Sequence, residues 1–264
     1  MIVNELVGKV ALVTGAGRGI GRAISLALAQ EGATLILTGR DLEALNETSK
    51  LISEIEGAPK SVVYHMNVLD SQEIKQCVDL ALEIYGHIDI LVNNSGITGK
   101  SARLWELTEA EWDECIDTNL KASFLVSKAV IPSMLVRKSG SIIFIGSITG
   151  KRPLIDRSVY AASKLGMVGM MRTLALELGR HNIRVNLVSP GFVEGPRLDG
   201  VIATVANRER VLPQEMSAKW QEMVPTGKFT SPENIAQGVL FFASERSGGT
   251  TGEDLNISGG LVMY

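Results

Sequence analysis

A chain of 264 residues with 45% hydrophobic side chains has material for one sizeable core and, by length alone, for one or two domains. Its 26 Lys+Arg against 29 Asp+Glu give a net charge of −3, which argues against disorder and against the basic surplus of a dedicated nucleic-acid binder. Cys77 and Cys115 are the only cysteines, too few for a disulfide framework, so a reducing, cytoplasmic setting is expected.

Met1–Lys9 carries Glu5 and no extended apolar run, so it does not read as a signal peptide. KVALVT (9–14) has the unbroken apolar character of a buried strand and runs into a glycine-rich turn. A helix follows over about 19–31, stopped by Gly32. ATLILT (33–38) is the next strand, and Asp41 can cap a helix running toward Glu56. Strands are expected at 61–66 and 88–92, with a helix over 71–85 between them. Thr108–Val136 is strongly helical, in two pieces, with Pro132 placed to bend it. SIIFIG (141–146) is a strand, 158–179 a helix and IRVNLV (183–188) a strand. A last helix begins near Ser231 with Pro232 at its first position, and 253–257 closes the chain as a short strand. No stretch approaches the roughly 20 apolar residues of a membrane span.

Strands and helices that alternate over short connections imply right-handed crossovers and a parallel sheet covered on both faces, an α/β doubly wound, three-layer architecture. With no linker, repeat or composition shift, residues 1–264 read as one domain. Phe192–Phe229, rich in Gly, Pro, Arg and Glu, interrupts the alternation. A long insertion after a parallel strand is placed to act as a substrate lid, because ligands bind outside the carboxyl ends of such strands; the competing reading is a surface excursion.

The turn TGAGRGIG (14–21) lies between the first strand and first helix. Gly15 allows a tight turn, Gly19 a close backbone approach and Gly21 close helix–strand packing, while the helix start offers free N–H groups to a pyrophosphate. The second strand ends Leu37-Thr38-Gly39-Arg40 with no carboxylate where an NAD ribose would be bonded. Arg40, with Arg18 in the turn, favours NADP(H) over NAD(H) through charge-assisted bonds to a 2′-phosphate, although Asp41 follows closely.

Tyr160 and Lys164 stand four residues apart on one helix face. An ammonium beside a phenol favours the phenolate, which would let tyrosine exchange protons near neutral pH. Ser147 follows the SIIFIG strand at the edge where substrate should sit. His65, His87 and His181 lie far apart and form no metal-ligand spacing with the cysteines, so no metal is expected.

Taken together, TGAGRGIG (14–21), NNSG (93–96), Asn119 in DTNLKASF, Ser147 in IGSITG, YAASK (160–164), SPG (189–191) and ISGG (257–260) resemble the short-chain dehydrogenase/reductase family over nearly the whole chain. The resemblance implies a Rossmann-type sheet of about seven strands, a homotetramer, and a tetrad of Asn119, Ser147, Tyr160 and Lys164. It implies that Tyr160 passes the proton between alcohol and ketone and that Lys164 bonds the nicotinamide ribose. Ser147 would bond the substrate oxygen, and Asn119 would bind a water of a proton relay. Cofactor contacts are implied for Gly15, Arg18, Gly19, Ile20, Gly21, Arg40, Asn67, Val68, Asn93, Ser95, Gly96, Pro190, Gly191 and Val193, with Asn93 and Gly96 on the adenosine side. Two positions depart from the family pattern. Asn67 replaces the usual Asp before Val68, and Gly195 stands where a threonine often anchors the nicotinamide half, leaving backbone or Arg197 to do so.

The expected reaction is NADP(H)-dependent interconversion of a secondary alcohol and a ketone. Alternatives are a 3-oxoacyl-thioester reductase and a polyol, sugar-acid or hydroxy-acid dehydrogenase. A catalytically silent nucleotide-binding sensor is a fourth, against which the complete tetrad argues. Lid residues Val201, Ile202, Val205, Leu212, Met216, Trp220 and Met223 are placed to cover a ligand or to bury the lid itself. Glu194, Arg197, Arg208, Arg210 and Lys219, with Arg152 and Arg157, leave room for a polar or anionic substrate. Met167, Met170 and Met171 are expected to pack against a neighbouring helix.

Overall fold

Seven parallel strands carry the molecule: β1 (Val10–Thr14), β2 (Thr34–Gly39), β3 (Val62–His65), β4 (Ile90–Asn93), β5 (Gly140–Ile145), β6 (Ile183–Pro190) and β7 (Asp254–Ile257). The computed structural model describes residues 4–264; residues 1–3, part of the segment expected not to be a leader, lie outside them. The strand order is β3-β2-β1-β4-β5-β6-β7, so the chain reverses its direction of winding between β1 and β4. A crevice opens at such a point beyond the carboxyl ends of the strands. The glycine turn after β1 and the NNSG segment after β4 both emerge there, with Leu12 opposite Leu91 and Val13 opposite Val92.

Central strands are apolar throughout because both faces are covered. On one face α1 (Gly19–Gln30), α2 (Leu42–Ser53) and α9 (Pro232–Ala243) bury Ile24, Leu28, Leu45, Ile235 and Phe242 with Val13, Leu35 and Ile143. On the other, α3 (Ser71–Tyr85), α5 (Ala122–Arg137) and α6 (Ser158–Leu178) bury Ile74, Val130 and Met171 with Leu12, Phe144 and Leu187. Met167 and Met171 belong to this second core and Met170 packs against it, so the methionines serve the chain's own interior. Cys77 and Cys115 are both buried and unbonded.

Local signals set the helix ends. Asp41 accepts from the Ala44 N–H at 3.0 Å and starts α2; Asp70 caps α3 through Gln72 and Glu73; Ser231 and Asn234 form a reciprocal cap before Pro232. The long helical stretch after residue 108 does come in two pieces, α4 (Glu109–Ile116) and α5, and α5 runs on through Pro132. One wide π turn over Asp117–Lys121 joins them, and Asn119 sits in it fully buried. Among the described residues no helix is long and apolar enough to cross a membrane.

Phe192–Phe229 folds into α7 (Pro196–Glu209) and α8 (Pro213–Glu222), separated where Arg210 takes a left-handed conformation. The helix begins at Pro196, five residues before the apolar run at Val201, because proline suits a first helical position. Leu198, Ile202, Ala206, Met216, Val224 and Phe229 form a small core of their own, with Phe192 stacked on Trp220 at 4.7 Å. Ile202, Val205, Met216 and Trp220 are therefore occupied within the segment, whereas Leu212 and Met223 stay exposed.

Candidate active site

The glycine turn is built to expose N–H groups. Gly15 and Gly19 hold φ of 65° and 54°, values an L side chain resists, and a Cβ on Gly21 would stand 2.1 Å from the Gly15 carbonyl oxygen. The carbonyls are drawn the other way: Arg22 donates to the Gly17 oxygen at 2.6 Å, and Thr48 donates to the Ala16 oxygen at 3.1 Å. The Asn94 amide bonds the Thr14 and Gly15 oxygens, and the Thr14 hydroxyl accepts from the Asn94 and Ser95 N–H groups, both at 3.0 Å. What remains at the start of α1 is a set of donors that no side chain caps, above a Gly19 whose missing Cβ would meet nothing within 4 Å. That cradle fits a dinucleotide pyrophosphate. Ile20 anchors the turn by packing on the α1 side of the core.

Arg18 forms an ion pair with Asp41, which also caps α2, so Asp41 is committed twice. Arg40 is exposed, and among the described residues no carboxylate lies within ion-pair reach of it. The Asn67 Oδ1 accepts from the Leu69 N–H at 3.1 Å, which leaves its Nδ2 hydrogens free beside Val68. Asn93 is placed differently from expectation. It ends β4 with its side chain buried toward α5, donating to the Ser127 hydroxyl at 3.0 Å, and the groove side falls to Asn94, the next residue in the alternation. Thr14, Arg22, Thr48 and Asn94 were not expected as site residues, and only the polar pair NN hints at one of them.

At the other end of the crevice Lys164 is buried and donates to the Ile145 carbonyl at 2.8 Å, two residues before Ser147. Its Nζ lies 5.8 Å from the centroid of the Tyr160 ring. Burial, reinforced by Arg197 and opposed by Cys115, pulls the ammonium pKa down to about 7. Gly96 lies against the same group: a Cβ there would stand 2.9 Å from the Asn119 Oδ1 and 3.5 Å from Lys164 Nζ. Asn119 spends its amide on the chain, accepting from Ile97 N–H at 2.8 Å and donating to the Ile97 carbonyl and the Ser163 hydroxyl, both at 3.0 Å. It ties the loop after β4 to α6 as a strut, by way of a π turn of the kind that often marks functional sites.

Ser147 opens the short turn after β5, and its Oγ accepts from the Thr149 N–H at 3.1 Å. The end of that turn is pressed onto α6, where a Cβ on Gly150 would meet Leu165 N at 3.0 Å and the Lys164 carbonyl carbon at 3.2 Å. Among the described residues no hydrogen bond joins Ser147 to Tyr160. Pro190 ends β6, Gly191 packs so closely on Ser258 that a Cβ would lie 2.7 Å from its Cα, and Val193 pairs with Thr230 to close the neck of the 192–229 segment.

Of the charged candidates around the lid, Arg208 pairs with Asp156, Lys219 with Glu209 at 3.7 Å, and Arg152 donates to the Leu261 carbonyl at 3.3 Å. Only Arg157 and Arg197 reach the Tyr160–Lys164 end. Arg157 lies over the Tyr160 ring at 4.8 Å, and Arg197 donates to the Gly96 carbonyl at 2.8 Å. Asp156, which no sequence signal marked, sits at φ 63° and also meets the Arg103 Nε at 3.0 Å, joining three segments. The whole arrangement offers a phenol, a buried amine and a hydroxyl at one end of a nucleotide cradle, a set suited to exchanging a proton with an alcohol or carbonyl oxygen.

Residues 9–206 match the short chain dehydrogenase family profile. The chain is 42% identical over 260 residues to the 3-oxoacyl-[acyl-carrier-protein] reductase of Thermotoga maritima, covering 98% of this chain and 100% of that one. It is 38% identical over 267 residues to the human (3R)-3-hydroxyacyl-CoA dehydrogenase, covering 98% of each. Among solved structures it is similar to an actinorhodin polyketide ketoreductase variant with NADPH, at a TM-score of 0.93, 35% identity and full coverage of both chains.

Proposed function

The chain belongs to the short chain dehydrogenase family and is an oxidoreductase acting between CH–OH and C=O groups, and we propose that it is an NADP(H)-dependent reductase of 3-oxoacyl compounds. The observation that carries the cofactor preference is Arg40, left without a carboxylate because Asp41 is engaged by Arg18 and by the start of α2. The names of the similar reductases and the NADPH in the similar ketoreductase support the same direction.

The nicotinamide supplies the reducing equivalent. Tyr160 gives its phenolic proton to the carbonyl oxygen, and Ser147 donates a hydrogen bond to that oxygen as negative charge develops on it. Lys164 directs one donor at the Ile145 carbonyl and a longer one, at 3.7 Å, at the Met167 sulfur; its third donor, with the weak sulfur contact exchanged, would serve the nicotinamide ribose and the phenol oxygen. Asn119 fixes the distance between the Ile97 loop and α6, and the second lone pair of its Oδ1 serves a water of the proton relay. Gly15, Gly19, Ile20, Gly21 and Ser95 form the pyrophosphate side, Asn67 and Val68 the adenine side, and Pro190, Gly191 and Val193 the nicotinamide side, joined there by Gly96, which lies beside Lys164 and not toward the adenosine as expected. Residues 192–229 are the substrate lid of a single-domain enzyme.

We also propose a cytoplasmic homotetramer. Phe124 and Val136 on α5 and Leu165 and Leu176 on α6 leave apolar surface uncovered on adjacent helices, Val136 at 86% and Leu176 at 84% exposure. Initial-rate assays with NADPH and NADH across 3-oxoacyl thioesters, simple ketones and polyols test the reading. Faster turnover of polyols with NAD than of any 3-oxo compound with NADPH would overturn it.

A further inference from the structure

Arg157 is an arginine with little solvent and no counter-ion. It precedes α6, three residues before Tyr160, at 9% exposure. Among the described residues its guanidinium makes no ion pair. The carboxylate beside it in sequence, Asp156, is turned away by its positive φ and is held by Arg103 and Arg208. Burial lowers the Arg157 pKa, with Tyr160 and Cys115 opposing and Arg197 reinforcing the shift. Arg197 in turn reaches the Gly96 carbonyl, next to Lys164. Two guanidiniums and the Lys164 amine therefore face the Tyr160 end of α6, and among the described residues no carboxylate is set among them. Burying a guanidinium costs more than the face of one aromatic ring returns. An anion arriving with the substrate would complete the group.

We propose that Arg157, with Arg197 as the second wall, binds a carboxylate of the substrate, so that the enzyme reduces short oxo acids in their free form in preference to neutral esters or thioesters. The proposal rests on the reductase reading above and narrows its substrate class. The Arg157 guanidinium carbon lies 4.8 Å from the centroid of the Tyr160 ring. A carboxylate one or two carbons from the carbonyl spans that interval, meeting Arg157 while the ketone oxygen meets Tyr160. The carboxylate is not consumed. The carbonyl carbon gains hydrogen with two electrons from the reduced cofactor, the oxygen gains the Tyr160 proton, and the product is the hydroxy acid.

The test compares 3-oxobutanoate with its ethyl ester, each with NADPH, in the wild type, Arg157→Gln and Arg157→Lys. The expected kcat/KM ratio of acid to ester is about tenfold or more in the wild type, the worth of one charge-assisted hydrogen bond. It should fall about tenfold in Arg157→Gln and recover in part in Arg157→Lys. A wild type that prefers the ester, or a loss in Arg157→Gln that is equal on both compounds, overturns the proposal. Malonate gives a readout independent of turnover. It should raise the melting temperature of the wild type but not of Arg157→Gln, and equal shifts overturn the site. If the wild type reduces neither compound nor any neutral ketone, the reductase reading falls, and the malonate comparison still decides the anion site. Should Arg157→Gln fail to fold, Arg157→Met, which keeps the apolar stem over the ring, takes its place.

Discussion

The Arg18 guanidinium is paired with the Asp41 carboxylate at the corner where the glycine turn meets the end of β2. A carboxylate near this corner would ordinarily repel a 2′-phosphate and attract a ribose hydroxyl. Here its charge is compensated, and Arg40 stands next to it in the chain with no carboxylate partner among the described residues. Arg40→Ala should therefore weaken NADPH binding about ten- to a hundredfold, the range of a charge-assisted hydrogen bond, and change NADH binding little. Isothermal titration with both cofactors checks this, and equal losses for the two would remove Arg40 from the phosphate site.

Tyr160→Phe deletes the exchangeable proton and little else, since the ring that Arg157 and Lys164 flank is retained. Turnover should fall by about 10²–10⁴ or more, the usual contribution of a positioned acid or base. NADPH affinity should stay within a few-fold. Single-turnover rates alongside fluorescence titration of the cofactor separate the two.

The buried lysine makes stability depend on pH in a definite direction. Its pKa is about 7 when folded, against an ordinary 10.5. Below pH 7 both folded and unfolded chains carry the proton, and the cost of a buried charge is fully present. Between about 7 and 10.5 the unfolded chain binds a proton that the folded chain does not, so the lysine's contribution to stability rises with pH. Above that window both forms are neutral. Urea unfolding of the cofactor-free wild type minus that of Lys164→Met should show this rise, and a difference that is flat or falls with pH would contradict it. Added NADPH, an anion, should flatten the curve by favouring the charged amine.

Two glycines of the same turn should respond differently. Gly21→Ala drives a Cβ to 2.1 Å from a backbone oxygen with no flexible side chain to yield, so either folding or the turn itself is lost. Gly19→Ala meets open space and carries only the strain of its left-handed conformation, about 1–2 kcal/mol. It should fold and yet bind NADPH poorly, because its methyl group projects into the cradle. Thermal melts with and without NADPH distinguish the pair.

The sheet was legible in the sequence because strands buried on both faces are unbroken apolar runs, and KVALVT and SIIFIG admit little else. Ser147, Tyr160 and Lys164 were legible because the first follows a strand end and the other two share one helix face, whereas Asn119 was marked only through the family resemblance. What escaped has a common cause. Asn93 and Asn94 are adjacent, and which one faces the crevice depends on a single step in the alternation at the end of β4. The π turn around Asn119 adds one residue to a helix without changing its composition. Asp156 adopts a positive φ that nothing in KRPLIDRS announces, and its partners Arg103 and Arg208 lie far from it along the chain. Apolarity marks the candidate residues of 192–229, and it does not say whether such a residue covers a ligand or its own neighbours.

Because the 192–229 segment buries Leu198, Ile202, Ala206, Met216, Val224 and Phe229 against one another, it has an interior that neither large core shares. Such a unit should unfold locally as a small cooperative piece, its amides exchanging hydrogen together at a free energy well below that of the sheet. It is also a unit that mutation can reshape largely by itself: apart from Arg197, which bonds the Gly96 carbonyl, and Arg208, which pairs with Asp156, residues across 196–222 can change while the nucleotide cradle and the Tyr160–Lys164 pair keep their geometry. Substrate range can thus evolve in this protein at little risk to its foldedness.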